Sequence, residues 1–283
     1  MPLALLALTI SAFAIGTTEF VIVGLVPTIA DQLAISLPSA GLLVSIYALG
    51  VAIGAPVLTA LTGRLPRKQL LMALMVLFTA GNILAWQAPD YTTLIIARLL
   101  TGLAHGVFFS IGSTIATSLV PKEKAASAIA IMFGGLTVAL VTGVPLGTFI
   151  GQHFGWRETF LAVSLLGVIA LISSLVLIPS NIPGRAAATL RDQLKVLTHP
   201  RLLMIYAITA LGYGGVFTAF TFLAPMMQDL AGFSPSAVSW ILLGYGVSVA
   251  IGNIWGGKLA DKHGADPALK IIFAVLVILL IVF

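Results

Sequence analysis

Long apolar segments separated by short polar links follow one another through the whole 283-residue chain. They predict nine helices, at residues 3–30, 39–62, 69–87, 92–119, 124–151, 156–178, 201–228, 236–257 and from 268 onward. The first eight have the length of about 20 residues that a helix needs to cross a hydrocarbon core of about 30 Å. The ninth stops within an apolar run at Phe283. We therefore expect an all-α polytopic membrane protein with about eight complete transmembrane helices and a truncated ninth.

The composition and the placement of charge agree with this pattern. Apolar residues make up 59% of the chain and charged residues 8%, which excludes a soluble globular domain. Twelve of the 14 lysines and arginines lie in alternate links between the helices, so the positive-inside rule places the N-terminus and the 179–200 link in the cytoplasm. The net charge of +5 then reflects membrane topology, and no nucleic-acid partner is expected. The first helix lacks a preceding basic segment and contains Glu19, so we do not expect it to be a cleaved signal peptide.

The fourth helix carries Arg98 and His105 at membrane depth. A charge at that depth costs roughly 2.5–3.5 kcal/mol on insertion scales, so it is seldom present without a partner or a function. Small residues recur at every fourth position after Arg98, at Gly102, Gly106, Ser110 and Thr114. They share one helix face, where a neighbouring backbone can approach closely. We predict that this helix packs through its small residues and points a cation inward.

An internal repeat with an offset of 198 residues relates the first two helices to the seventh and eighth. It pairs Pro27 with Pro225, Asp31 with Asp229 and Tyr47 with Tyr245, and matches the run 51–54 to 249–252. Two similar halves are typical of secondary transporters. We predict a six-helix bundle over 1–178, a cytoplasmic linker over 179–200 and a partial C-terminal bundle over 201–283. A second half as long as the repeat would extend about 113 residues beyond Phe283.

Short motifs in five places resemble those of one transporter family. A loop motif, G-x-x-x-D-R/K-x-G-R/K, follows the eighth helix with Gly257, Asp261, Lys262 and Gly264, and a degenerate copy after the second has Arg64, Arg67 and Lys68. The fourth helix contains R-x-x-x-G-x-x-x-G as Arg98, Gly102 and Gly106. The fifth carries a glycine ridge with a proline: Gly135, Gly143, Pro145, Gly147 and Gly151. The first helix contains T-E-F at residues 18–20. The chain thus resembles a major facilitator superfamily transporter, most closely the bacterial twelve-helix drug:proton antiporter group with its sugar, purine nucleoside and chloramphenicol exporters.

This resemblance implies a role for each motif. The arginine of the fourth-helix motif is associated with proton transfer in relatives, the glycine ridge resembles the antiporter motif of exporters, and the loop-motif aspartate can latch one conformation from the cytoplasmic side. In the degenerate copy Gly63 replaces that aspartate, which puts the latch in doubt there. Each motif also has a structural alternative: an arginine bound by backbone carbonyls, glycines that only pack helices, and basic residues that only anchor topology.

Glu19 is the acidic residue most clearly at membrane depth. Burial disfavours the charged form of a carboxyl group and a nearby cation favours it, so a carboxyl subject to both can exchange a proton near neutral pH. We predict that Glu19, Arg98 and His105 take part in proton coupling or line the substrate cavity. A hydrogen-bonded structural glutamate and a packing histidine are the alternatives. Several aromatic residues could line an apolar pocket or simply face lipid: Phe108, Phe109, Phe217, Phe220, Phe222 and Trp240.

Motifs of other protein classes do not occur in the sequence. G-x-x-x-x-G-K-[ST], H-E-x-x-H and G-x-S-x-G are all missing, so we expect neither an enzyme nor a bound cofactor or metal. The leading hypothesis is proton-driven efflux of a small organic molecule by alternating access in the bacterial inner (plasma) membrane. Its partners would be the substrate, protons and lipid, with no oligomer required. A proton symporter or uniporter of the same fold and a non-functional truncated remnant are the alternatives.

Overall fold

The structure is a computed structural model that describes residues 3–62, 65–182 and 198–282. We label the nine helical segments in this part of the chain α1 to α9. They are α1 (Leu3–Phe20 and Ile22–Gln32), α2 (Leu37–Thr62), α3 (Arg67–Trp86), α4 (Tyr91–Ser118), α5 (Ala125–Val138, Ala139–Gly143 and Val144–Phe154), α6 (Trp156–Leu177), α7 (Pro200–Thr221, Leu223–Pro225 and Met226–Leu230), α8 (Pro235–His263) and α9 (Ala265–Val282). The first eight include a span long and apolar enough to cross a membrane. The predicted all-α polytopic fold is confirmed, and most predicted bounds agree within three residues.

The predicted end of the eighth helix is wrong. We placed it at residue 257 with a loop motif following, whereas α8 continues to His263. Gly264 then adopts φ +86°, the left-handed conformation in which glycine commonly ends a helix. The charged residues before it do not break a helix, and basic residues in a last turn complement the helix dipole. The motif therefore forms the last turns of α8 from Gly257 onward, with Lys262 exposed, while the side chain of Asp261 lies outside the described part of the structure.

Two helices change their hydrogen-bond pattern close to a proline. In α5 the π-helical turn Ala139–Gly143 lies directly before Pro145, and α7 is interrupted at Phe222, three residues before Pro225. Proline has no N–H to donate, so the carbonyl four residues earlier loses its helical partner. In each case that carbonyl lies within or at the edge of the irregular turn. Pro145 thus coincides with a local change of helix type in α5.

The helices enclose two apolar clusters separated by a polar layer, and the second cluster also contains residues of α7 and α8. One cluster is built around residues of α1, α3 and α4 such as Leu8, Phe78 and Phe108. The other includes Leu25 and Trp156. Between them lie buried polar side chains, which are Thr17, Thr18, Asn82, Arg98 and Thr101. Since buried polar groups are stable only with partners, this layer is where specific hydrogen bonds are expected.

Helices α2 and α4 meet along a seam of glycines. A methyl group at Gly106 would lie 2.5 Å from the carbonyl oxygen of Val51 and 2.8 Å from the backbone nitrogen of Ala55. A methyl at Gly102 would overlap the carbonyl oxygen of Tyr47. The two backbones are therefore in direct contact, as small residues at four-residue spacing allow. This seam fixes α4, which carries Arg98 and His105, against α2.

Candidate functional site

Glu19 lies at the junction of two cavities. Its side chain, 20% exposed, lies just before Val21, the residue at which α1 is interrupted. A cavity of about 420 Å³ opens from it between α1, α4, α5, α7 and α8, and one of about 1040 Å³ opens between α1, α2 and α7. Tyr213 of α7 also lines both. The carboxyl group therefore faces the space between the first six helices and α7 and α8.

His105 and Tyr47 form the wall beside this carboxyl group. The Nδ1 atom of His105 lies 3.7 Å from Glu19 Oε2 and 2.9 Å from the Tyr47 hydroxyl, within hydrogen-bond distance of the latter. The His105 side chain is 12% exposed and lines the smaller cavity. The two rings meet edge to face with centroids 5.6 Å apart. The carboxyl group, the imidazole and the phenol thus lie within one contact network.

Arg98 lies behind this wall and is only 1% exposed. Its Nη1 donates to the carbonyl oxygen of Thr18 at 2.7 Å, its Nε donates to that of Leu43 at 3.4 Å, and its Cζ lies 4.2 Å from the centre of the Tyr47 ring. The Nη2 atom is buried and makes no hydrogen bond to any residue that the structure describes. Ion pairs within 4.0 Å in this part of the chain join Glu19 to His105 and Asp266 to Lys270 and do not include Arg98. The inward-pointing cation is present, held by carbonyls and an aromatic face.

The polar layer below the site adds two hydrogen bonds to this arrangement. The Thr18 hydroxyl donates to Asn82 Oδ1 at 2.6 Å, and Asn82 Nδ2 donates to the Phe78 carbonyl at 2.9 Å. Both side chains are fully buried. Because Thr18 also supplies the carbonyl that binds Arg98, Asn82 helps to position the residue next to Glu19. The hydrogen bonds therefore connect α3 to α4 through α1.

Sequence reasoning missed three residues of this site: Tyr47, Asn82 and Tyr213. Tyr47 did have a signal, since it occurs in the 198-residue repeat opposite Tyr245 and precedes the glycines of α2. Asn82 is a lone amide in an apolar helix, where a buried polar group needs a partner. Tyr213 lies between two segments of small residues and carries no comparable signal.

The glycine ridge of α5 packs mainly against α1. A methyl at Gly135 would lie 2.8 Å from the backbone nitrogen of Phe13, and one at Gly147 would lie 2.5 Å from a methyl of Val21. A methyl at Gly143 would overlap the Thr17 side chain of α1, and one at Gly151 would overlap the Leu25 side chain of the same helix α1. The approach of α8 to α5 uses a different glycine, Gly246, which lies over the Leu140 carbonyl in the π-helical turn. The ridge therefore joins helices within the first six, with Pro145 beside it.

The loop-motif residues lie away from Glu19. Lys68 Nζ donates to the carbonyl oxygens of Leu175 and Ile178 at 2.8 and 2.6 Å, so it caps the C-terminal end of α6. Arg67 begins α3 beside it. Arg64 and the greater part of the 179–200 linker lie outside the described residues. Lys68 thus binds within the first six helices, as expected of a cation near a helix C-terminus.

Comparisons with known proteins point to one family. The sequence profile of the Major Facilitator Superfamily matches residues 8–283. The uncharacterized MFS-type transporter YtbD of Bacillus subtilis (strain 168) is 56% identical over 92% of this chain and 66% of its own length. The inner membrane transport protein YdhP of Escherichia coli (strain K12) is 47% identical over 91% of this chain and 66% of its own. The chain thus spans about two thirds of the length of these relatives.

Solved structures share the fold at low sequence identity. A bacterial homolog of the human lysosomal transporter Spinster, in an inward-facing and unoccupied conformation, matches with a TM-score of 0.75 at 20% identity. The match covers 92% of this chain and 62% of the chain of that homolog. A D-xylose-proton symporter has a TM-score of 0.67 at 17% identity over 91% of this chain and 68% of its own. These likenesses concern the fold alone. The profile match over nearly the whole chain, with which the 56% identity to YtbD agrees, establishes that this protein belongs to the Major Facilitator Superfamily.

Proposed function

We propose that this protein is a proton-coupled exporter of a small organic molecule in the bacterial inner membrane, with Glu19 as the proton-binding group. The observation that carries the proposal is the position of this carboxyl group, which lines both cavities between α1 to α6 and the helices after the linker. A carboxyl at that depth is costly unless it has a function or a partner. In this role a proton and the substrate compete for Glu19, so the binding of one favours release of the other.

Residues around Glu19 divide into a proton partner and a scaffold. His105, 3.7 Å from the carboxyl, accepts or donates the proton as water enters the cavity. Tyr47 orients the imidazole, and Arg98 holds Tyr47 and α1 in place through its ring contact and its bond to the Thr18 carbonyl. In the family that the motif resembles, the arginine at this position is associated with proton transfer. In this protein Arg98 would act on Glu19 through Tyr47.

Alternating access follows from the two-halved architecture. Residues 1–178 form one moving body and residues 201–283 belong to the other, joined by a cytoplasmic linker over 179–200, with the N-terminus also cytoplasmic. The contacts between the bodies include Gly246 against the Leu140 carbonyl and a hydrogen bond from Ser239 to Gln152 Oε1 at 3.2 Å. Apolar side chains of α7 and α8, among them Phe220 and Val238, also pack into a cluster with residues of the first six helices, and rocking would have to rearrange this packing.

Gradient-driven flux in proteoliposomes tests the proposal. The full-length protein is reconstituted with an acidic interior, and valinomycin with equal potassium on both sides holds the membrane potential at zero. Uptake is measured for four labelled compounds: tetraphenylphosphonium, chloramphenicol, L-arabinose and inosine. We expect at least one to accumulate above its external concentration, to be released by nigericin, and to lose this gradient-driven component in Glu19→Gln.

The same vesicles distinguish the alternatives. A symporter would accumulate substrate only when the exterior is acidic, and a uniporter would equilibrate it without regard to pH. Unchanged gradient-driven uptake by Glu19→Gln would remove this residue from the coupling role. Glu158→Gln, which alters a carboxyl in the first turn of α6, serves as the matched control and should transport normally.

A further inference from the structure

We propose that α8 pivots on the π-helical turn of α5, at the contact between Gly246 and Leu140, when the protein changes the side on which its cavity is open. This inference rests on the alternating access of the proposed function. The contact, which we call the crossing point, joins backbone to backbone. Gly246 lies over the Leu140 carbonyl, and a methyl group added to it would lie 2.7 Å from the Cα atom of Val141. Gly246 is buried, so the two backbones touch directly there.

The π-helical turn changes the hydrogen bonding of the Leu140 carbonyl. In an α-helix this carbonyl would accept the N–H of Val144, but Val144 donates to Ala139 instead, and the next residue, Pro145, has no N–H. The carbonyl therefore faces the Cα hydrogens of Gly246, a weak contact of a kind that recurs where helices meet closely. Carbonyl oxygens accept hydrogens over a broad range of directions. Rotation of α8 about this point can thus preserve the contact.

The two helices separate on one side of the crossing point, towards the C-terminal end of α8. The cavity of about 420 Å³ lies between them there and is lined from both helices, by Phe133, Thr137, Val249 and Asn253. A methyl group at Gly252, in the same part of α8, would meet nothing within 4 Å among the described atoms. In the proposed topology this is the cytoplasmic end of both helices, which we call the inner end. The pair is therefore open at its inner end.

The same two helices are joined at the other end, which we call the outer end. Ser239 donates its hydroxyl hydrogen to Gln152 Oε1 at 3.2 Å, and a cavity of about 380 Å³ lies beside this bond. The Nε2 atom of Gln152 is buried and makes no hydrogen bond to any described residue. A movement that admits water to the outer end would give Nε2 a partner in exchange for the bond that is lost. The outer end can therefore open at modest cost.

The two ends are linked because they lie on one continuous helix, Pro235–His263. Ser239 lies seven residues before Gly246 and Asn253 seven residues after it, so each end is about 10 Å from the crossing point along the helix axis. A rotation of α8 about Gly246 that brings Asn253 towards Thr137 must move Ser239 away from α5 by a similar distance. Closing the inner end therefore opens the outer end.

Spin labels at three levels of the pair test this pivot in the full-length protein. Residues 1–283 contain no cysteine, so labels can be attached to introduced ones. The outer pair is His153→Cys with Ser236→Cys, the middle pair is Thr142→Cys with Val247→Cys, and the inner pair is Thr137→Cys with Asn253→Cys. Each distance is measured by electron paramagnetic resonance in nanodiscs, with and without the further change Ser239→Ala.

Ser239→Ala removes the outer hydrogen bond and should shift the population towards the outer-open state by about two- to tenfold. We expect the outer distance to lengthen, the inner distance to shorten and the middle distance to stay constant. Ser248→Ala is the matched control, because the Ser248 hydroxyl bonds to a carbonyl of its own helix, and it should change none of the three distances. A middle distance that changes as much as the ends, ends that change in the same direction, or three unchanged distances would overturn the pivot.

Gly246→Ala tests the crossing point itself. Its methyl group would hold the backbones of α5 and α8 apart, so Ser239→Ala added to it should lengthen the outer distance without shortening the inner one. Gly244→Ala lies on the same helix, where a methyl meets nothing within 4 Å among the described atoms, and should leave the two ends linked. If Gly246→Ala lowers Tm yet leaves the ends linked, the glycine only packs the helices and the pivot is refuted.

The two proposals can fail separately, since the distance measurements need neither a substrate nor a pH gradient. Opposite changes at the two ends, together with flux that ignores the pH gradient, would refute proton coupling and leave the pivot intact. Gradient-driven uptake, together with a middle distance that changes as much as the ends, would refute the pivot and leave the exporter intact.

Discussion

The backbone contact at Gly106 makes a small substitution there expensive. In Gly106→Ala the new methyl would lie 2.5 Å from the Val51 carbonyl oxygen and 2.8 Å from the Ala55 nitrogen. Both are backbone atoms of α2, so no side-chain rotation relieves the overlap, and α2 and α4 must separate by roughly half an ångström or more. Overpacking of this kind costs about 1–3 kcal/mol. For a protein of this size we expect Tm to fall by roughly 3–10 °C.

Gly134→Ala is the matched control for this substitution. Gly134 belongs to the same class of helical glycine, yet a methyl at this position meets nothing within 4 Å among the described atoms. Alanine favours a helix over glycine by about 0.8–1 kcal/mol, so this variant should match or exceed the parent in stability. Thermal unfolding in detergent, followed by loss of the monodisperse peak, compares the two. A Gly106→Ala protein as stable as Gly134→Ala would show that the seam does not constrain α4.

Three further substitutions test single interactions by the same unfolding assay. Tyr47→Phe removes the hydroxyl bound to His105 but keeps the ring beneath the guanidinium, and should cost about 0.5–1.5 kcal/mol. Asn82→Leu leaves the Thr18 hydroxyl without its acceptor and should cost about 1–3 kcal/mol, part of which Thr18→Val added to it should restore. Asp90 caps α4, where a hydrogen bond from a backbone N–H lowers its pKa, so its stabilisation is complete at neutral pH and disappears as the pH falls below 3.8, the ordinary value. Asp90→Ala should therefore lower Tm more at pH 7 than at pH 3, and an equal deficit at both values would refute the charge effect.

The helices and the inward cation could be predicted from sequence because both follow from one-dimensional rules. Apolar length gives a span, and an arginine within it must find partners. The partners themselves could not be predicted. Arg98 is bound by carbonyls of Thr18 and Leu43, and carbonyls occur at every residue, so no side-chain pattern marks the ones that are used.

Glu19 and His105 were predicted as separate candidates, and the structure brings them within 3.7 Å of each other. Their contact depends on how α1 lies across α4, which the order of residues in either helix does not specify. Tyr47 is not predictable as a site residue, because tyrosine is common in apolar helices and only its contacts in the folded protein show its role. The sequence misplaces the end of α8 because the loop motif reads as a link between helices, whereas the helix continues through it and ends at Gly264.

The two roles considered for Arg98 are not exclusive in this geometry. Its carbonyl bonds are those of a structural arginine, and they leave Nη2 without a hydrogen bond among the described residues. Burying a guanidinium with one nitrogen unpaired is costly, and a fold that needed only a carbonyl-bound link between α1, α2 and α4 could use a neutral side chain instead. The charge is useful only if something nearby changes its own charge. In the proposed mechanism Glu19 is that group, and Tyr47, which contacts both the guanidinium and His105, would be the route by which Arg98 responds to it.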